Sequence, residues 1–317
     1  MIVGRTRKER LRYGRFFDLA AAIIKPFNRK QLRIESEQLS CKPFFLVGSG
    51  RNGSTLMASV LSKHKDLFVA PEQFALPYAI MRFQLSGCKS WPSTTAELDK
   101  IFKDSRRTTG WDLSNYQPKG NYMSLAEYVD HLYRNLSGPD IQRWGDKTPL
   151  NTYFLPRIVQ LYPDADYIFL IRDGRDVVSS LLQMMRGNKA TRDWNSDQLV
   201  ERACALWNDS IAAWDWLSSQ VSPKQRLMVR YEDFVSDTDG TATSMQKFLG
   251  VNPDPSVLGS TSERADSMGV SSMEHHRNLS REIAPRSVGK WKKELPDHLK
   301  PILNQRLYAN LQRFNYV

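Results

Sequence analysis

Phe44 to Leu61 reads FFLVGSGRNGSTLMASVL, and its parts change character at each glycine. Four apolar residues, Phe44 to Val47, run into Gly48-Ser49-Gly50-Arg51-Asn52-Gly53-Ser54-Thr55. Leu56, Met57, Val60 and Leu61 then recur at helical spacing. The stretch predicts a strand, a glycine-rich turn and a helix. Its glycines have the spacing of the nucleotide-binding loop GxxxxGK[ST], but Ser54 stands where that loop has its lysine. Backbone N–H groups in such a turn, with the helix N-terminus behind them, form a cradle for an anion. Without the lysine that reaches the outer phosphates of a triphosphate, a ligand less charged than Mg-ATP is expected. An ordinary strand-turn-helix junction with no ligand is the alternative reading.

A second unit of the same kind follows at Tyr167 to Ser180, YIFLIRDGRDVVSS: an apolar run, a charged turn, then Val177, Val178, Leu181 and Leu182 at helical spacing. Two such units predict an α/β fold with a parallel sheet flanked by helices. Residues 197–220 carry Leu199, Ala203, Leu206, Trp207, Ile211, Trp214 and Leu217 on one helical side, a stripe that reads as core. Arg226 to Tyr231 reads as a third strand, and residues 296–314 as a closing helix with Leu299, Ile302, Leu303, Leu307, Leu311 and Phe314 on its apolar side. The polar stretch 252–290 is too long for an idle connection and is expected to carry function or a lid.

The wider composition sets limits. A chain of 317 residues with 41% hydrophobic and 25% charged residues can bury a full core. Cys41, Cys88 and Cys204 are odd in number and widely spaced, which suits neither a disulfide framework nor a zinc site, so a reducing, cytoplasmic setting and no metal are expected. The longest apolar run near the start, Phe16 to Ile24, contains Asp18 and is about half the roughly 20 residues that span a bilayer. Of the net charge of +11, most lies in residues 1–42, with 11 basic and 4 acidic residues. The organisation expected is a basic N-terminal arm, 1–42, and one domain, 43–317. Leu11, Phe16, Leu19, Ala20, Ile23 and Ile24 among Arg5, Arg7, Lys8, Arg10, Arg12 and Arg15 would suit peripheral contact with an anionic membrane. The alternative is a segment docked on its own domain. No nucleic-acid recognition motif accompanies the arm, so nucleic acid is not an expected partner.

These segments together resemble the sulfotransferases that use 3′-phosphoadenosine 5′-phosphosulfate, and in particular the branch of tyrosylprotein sulfotransferases and their bacterial relatives. The resemblance covers about residues 43–295 in family order. It implies a sulfotransferase fold and transfer of a sulfuryl group to a hydroxyl of a carbohydrate, peptide or small-molecule acceptor. It makes Arg51, Asn52, Gly53, Ser54 and Thr55 the loop for the donor's 5′-phosphosulfate, and Arg172 and Ser180 its 3′-phosphate site. An arginine at a strand end and a serine in the next helix can hold a phosphate against that helix N-terminus. The alternative for Arg172 is an ion pair with Asp173, Asp176 or Glu232. Arg175 is expected to be structural, and Arg186 is not fixed by the motif.

Within Trp144-Gly145-Asp146-Lys147-Thr148-Pro149 the resemblance makes Lys147 the catalytic lysine, against a salt bridge to Asp146 as the plainer reading. Glu72, in Val69-Ala70-Pro71-Glu72, takes the place of the family's catalytic base, with Pro71 and Gln73 departing from the relatives. His275 and His276 are its rivals, since histidine suits base work, and His64 is expected to be a helix-end residue. Tyr231 is expected near the donor and Lys290 near the 3′-phosphate; a buried strand tyrosine and a solvated lysine are the alternatives. Trp91, Trp111, Tyr116 and Tyr122 are either acceptor contacts or packing. A P-loop kinase is the competing enzyme class, and an anion-binding protein without catalysis the competing non-enzyme.

Overall fold

The computed structural model describes residues 19–33, 39, 41–109, 113, 116–137, 140–188, 191–258 and 283–317, with side chains left out at 105–109 and 258. A parallel sheet of five strands forms its centre: β1 (Phe44–Val47), β2 (Leu67–Ala70), β3 (Arg143–Asp146), β4 (Asp166–Ile171) and β5 (Arg226–Arg230). Their order across the sheet is β2-β3-β1-β4-β5. In register, Val47 lies opposite Phe169, Ala70 opposite Asp146, and Ile171 opposite Arg230.

Both faces of the sheet are covered, which is why β1, and β4 from Tyr167 onward, are continuously apolar rather than alternating. The period of two still sorts their side chains. Phe45, Val47, Tyr167, Phe169 and Ile171 join one core with the helices Gly174–Arg186, Ser196–Gln220 and Leu299–Arg313. Phe44, Leu46, Ile168 and Leu170 join the other, under the helices Ser54–Leu61 and Thr238–Phe248. The tryptophan stripe packs as expected: Trp214 stacks on Phe169 with ring centroids 4.9 Å apart. Asn195 and Gln198 close a reciprocal cap at the start of that helix.

Two expectations need correction. Tyr231 does not end a strand; it begins the short helix Tyr231–Ser236. Ile302 is exposed, because the buried stripe of the last helix runs through Leu299, Leu303, Leu307 and Leu311 alone. Trp91, Tyr116 and Tyr122 are packing residues. Trp91 lies against Phe83 and Tyr122, and the buried Tyr116 and Tyr122 hydroxyls are 3.3 Å apart. Trp111, His275 and His276 lie outside the described residues.

Candidate active site

Because the five strands are parallel, their carboxyl ends share one edge of the sheet. Along it stand, in spatial order, Glu72 beyond β2, Lys147 after β3, the 48–53 turn after β1, Arg172 after β4 and Tyr231 after β5. Neighbouring strands are about 4.8 Å apart, so the row from β2 to β4 spans about 14 Å. The chain winds to one side of β1 for β2 and β3 and to the other for β4 and β5. Such a reversal opens a crevice at the strand ends, here between β1 and β4.

The turn after β1 needs unusual backbone angles. Gly48 has φ +143° and Gly53 φ +96°, while Arg51 adopts φ +66° without being glycine. Asn52 is buried and donates from Nδ2 to Leu170 O at 2.8 Å, while its Oδ1 accepts from the Ser54 N–H at 3.2 Å. Its side chain is thus a strut of the turn and does not face the crevice. The Thr152 hydroxyl braces the other end, accepting from Gly48 N and donating to Gly48 O. Gly53 caps the helix Ser54–Leu61 with no side-chain acceptor, and first-turn N–H groups have no acceptor within their own helix. A Cβ on Gly53 would stand 2.4 Å from Tyr231 Cδ2. Gly53→Ala is therefore expected to lower stability by roughly 1–3 kcal/mol through strain and overpacking, read as a fall in the urea midpoint with an unchanged slope.

Across the crevice Arg51 Nε donates to Ser180 Oγ at 3.0 Å, joining the β1 turn to the helix after β4. Arg172 Nη1 donates to Arg51 O at 3.2 Å, its Nη2 donates to Ser287 O, and its guanidinium lies 4.4 Å from the Tyr231 ring centroid. Burial and the neighbouring Arg172 lower the Arg51 pKa, partly opposed by Glu72. Two partly desolvated guanidiniums side by side favour an anion between them. The buried Arg172 Nε has no hydrogen-bond partner among the described residues, an unmet donor beneath the crevice.

The ion pairs that might have occupied Arg172 are largely engaged elsewhere. Asp173 binds Arg175, and Glu232 accepts from Asp173 N and the Tyr316 hydroxyl. Asp176 stands 3.7 Å from Arg172 Nη2, but its two oxygens accept from Gly289 N and Trp291 N. Arg175 also donates to Tyr316 O and stacks on Trp291, a structural role. Trp207 holds the turn from below, with Nε1 donating to Arg172 O at 3.1 Å and its ring so close that a Cβ on Gly174 would meet it at 2.8 Å. Lys290 is exposed with Nζ 3.8 Å from Glu294, and no contact joins it to Arg172 among the described residues. Arg186 is exposed at the far end of its helix.

On the β2 side, Lys147 is buried at 2% exposure, and its Nζ lies 3.2 Å from Thr55 Oγ1 and 3.3 Å from Glu72 Oε2. The salt bridge with Asp146 does not form. Asp146 points into the core and accepts from the Tyr133 hydroxyl at 2.5 Å and Gln73 Nε2 at 2.6 Å, and burial raises its pKa. Gln73 Oε1 accepts from Ala75 N and Leu76 N, so one amide fixes both the residue after Glu72 and the residue before Lys147. Glu72 itself is partly exposed. Phe74 and Tyr78 stand exposed nearby in sequence, with Tyr78 6.4 Å from the Phe154 ring. His64 is tied to Asn252 O and Asp66 N below the sheet edge.

Sequence reasoning passed over Gln73, Tyr133, Thr152 and Trp207 as functional supports. Only Trp207 carried a signal, its place on the helical stripe. The assembled edge offers an anion cradle, two arginines and a serine beside it, and a carboxylate paired with a buried ammonium at the far side. A sulfotransferase family model matches residues 43–255. The protein-tyrosine sulfotransferase of Drosophila melanogaster is 22% identical over 267 residues, covering 83% of this chain and 50% of that protein. Protein-tyrosine sulfotransferase 1 of Mus musculus is 27% identical over 256 residues, 80% of this chain and 64% of that one. The chain thus spans about half to two thirds of these relatives. Among solved structures, the sulfotransferase domain from the curacin biosynthetic pathway superposes with a TM-score of 0.56 at 22% identity, over 85% of this chain and 96% of that one. The sulfotransferase domain from the Synechococcus PCC 7002 olefin synthase gives 0.57 at 20% identity, over 88% and 98%. At these identities the two structures show a shared fold.

Proposed function

The chain belongs to the sulfotransferase family, and from that premise we propose that it transfers a sulfuryl group from 3′-phosphoadenosine 5′-phosphosulfate to the hydroxyl of an acceptor. The observation that carries this reading is the contact of Lys147 Nζ with both Glu72 and Thr55, beside a phosphate-type turn that has no lysine of its own. The donor supplies a sulfuryl group already attached to a phosphate leaving group. Every other element is protein. The N–H groups of Gly53 and Thr55 cradle the 5′ end, while Arg51, Ser180 and Arg172 suit a second phosphate across the crevice.

Glu72 accepts the proton of the acceptor hydroxyl as that oxygen bonds to sulfur. Lys147 faces the bridging oxygen, where negative charge grows as the bond to sulfur breaks. A sulfuryl group carries less charge than a phosphoryl group, so one buried ammonium and fixed N–H donors suffice where phosphoryl transfer recruits more cations. The acceptor is a hydroxyl of a carbohydrate, a peptide tyrosine or a small molecule. The tyrosine sulfotransferases among the relatives and the exposed Phe74 and Tyr78 near Glu72 support an acceptor with an apolar or flat body.

Adenosine 3′,5′-bisphosphate should stabilise the fold, by roughly 2.7 kcal/mol at a hundredfold over its dissociation constant. Adenosine 5′-monophosphate and Mg-ATP should act weakly, and Arg172→Ala should remove most of the preference for the bisphosphate. Thermal melting with each nucleotide reads this directly. Equal shifts with bisphosphate and monophosphate in the native chain would overturn the donor assignment, and a strong Mg-ATP response would favour a kinase. Labelled sulfuryl donor offered with carbohydrate, peptide and small-molecule acceptors then identifies the hydroxyl by where label appears.

A further inference from the structure

The start of the described chain is docked on one side and bare on the other. Residues 19–24 form a helical segment that continues into a 3-10 turn at Lys25–Phe27. Just beyond it, Asn28 Nδ2 donates to Phe83 O at 3.0 Å, and Lys30 Nζ donates to Gly87 O and Lys89 O. Gln31 and Leu32 accept through their carbonyls from Leu125 N and Ala126 N. Ala20, Ala21, Ile24 and Asn28, on the docked side, are partly buried.

The outward-facing side carries Leu19 at 63% exposure, Ile23 at 63% and Phe27 at 60%, spaced four residues apart. Three large apolar side chains in such a row gain nothing from water, and Lys25, Arg29 and Arg33 are exposed around them. We propose that this stripe is an interfacial contact for an anionic lipid bilayer, with Leu19, Ile23 and Phe27 entering the headgroup boundary and the basic residues meeting lipid charge.

Charge complementarity selects the occupant. Residues 1–42 hold 11 basic and 4 acidic residues, so a second copy would bring the same positive arm against this one. Nucleic acid would match the charge and leave Leu19 and Ile23 unused, whereas a bilayer surface satisfies the charge and all three apolar residues. No described helix is long and apolar enough to cross a membrane, which fits a segment that lies on the surface. The inference does not depend on the sulfuryl-transfer reading.

The test is sedimentation of the full chain with phosphatidylcholine vesicles, with and without phosphatidylserine. The native chain should sediment with the anionic vesicles, less so as salt rises. The combined variant Leu19→Gln, Ile23→Gln, Phe27→Gln should lose roughly tenfold or more of that binding, while its melting temperature and response to adenosine 3′,5′-bisphosphate stay native. Should that variant fail to fold, Lys25→Glu with Arg29→Glu tests the charged half in the same way. Failure of the native chain to bind anionic vesicles, or equal binding by the triple glutamine variant, overturns the proposal. So does a native dimer that the variant dissociates without any vesicle binding, which gives the stripe to a second copy. Equal binding of native chain and variant to duplex DNA, with no vesicle binding, would assign the arm to nucleic acid instead.

Discussion

Glu72→Gln should cut turnover by roughly 10²–10⁴ while leaving adenosine 3′,5′-bisphosphate affinity nearly unchanged. An amide keeps the length and shape of the side chain and still accepts a hydrogen bond from an acceptor hydroxyl. It does not keep the proton. The separation between turnover and binding is the informative part, because Glu72 bonds Lys147 while Arg51 and Arg172 bond each other and Ser180. Single-turnover rates with saturating donor measure the effect. Near-native turnover in Glu72→Gln would move the base elsewhere, with His275 and His276 next to be replaced.

Lys147→Met is expected to lower turnover by roughly 10²–10³, the loss typical of one electrostatic donor aimed at developing charge. Methionine fills the buried volume without the ammonium, so the loss should fall on the chemical step more than on donor affinity. Near-normal turnover with weakened donor binding would make Lys147 a ground-state contact instead. Since Nζ lies 3.3 Å from Glu72, the two substitutions should not add: each already removes one half of a pair. The double variant should be little slower than the worse single one.

The sequence made the central strands legible because both are covered on both faces, so β1 and the Tyr167–Ile171 part of β4 write themselves as apolar runs. It did not make β3 legible. That strand, Arg143–Asp146, begins and ends with charges, and both are buried by partners distant in sequence: Arg143 with Asp166 and the Leu249 carbonyl, Asp146 with Gln73 and Tyr133. Local pattern carries no trace of partners so far away. The same limit hid the pairing at Lys147. Asp146 is its neighbour in the chain, but successive strand side chains point to opposite sides, and the ammonium meets Glu72, 75 residues away, instead. The one-dimensional pattern left Trp91 and Tyr122 open between an acceptor surface and packing; in the fold Tyr122 is core and the partly buried Trp91 lies against it. Arg172 was legible as a strand-end cation, but the carbonyls of Arg51 and Ser287 that hold it were not.

Tyr231 touches both halves of the crevice: its ring is what a side chain at Gly53 would strike, and it is the surface on which Arg172 lies. Positions 53, 172 and 231 therefore share an evolutionary fate. A lineage that enlarges residue 53 has first to shrink residue 231, and in doing so it takes the floor from under the arginine. Drift at any one of the three is blocked until the others have moved, so change here has to come in concerted steps.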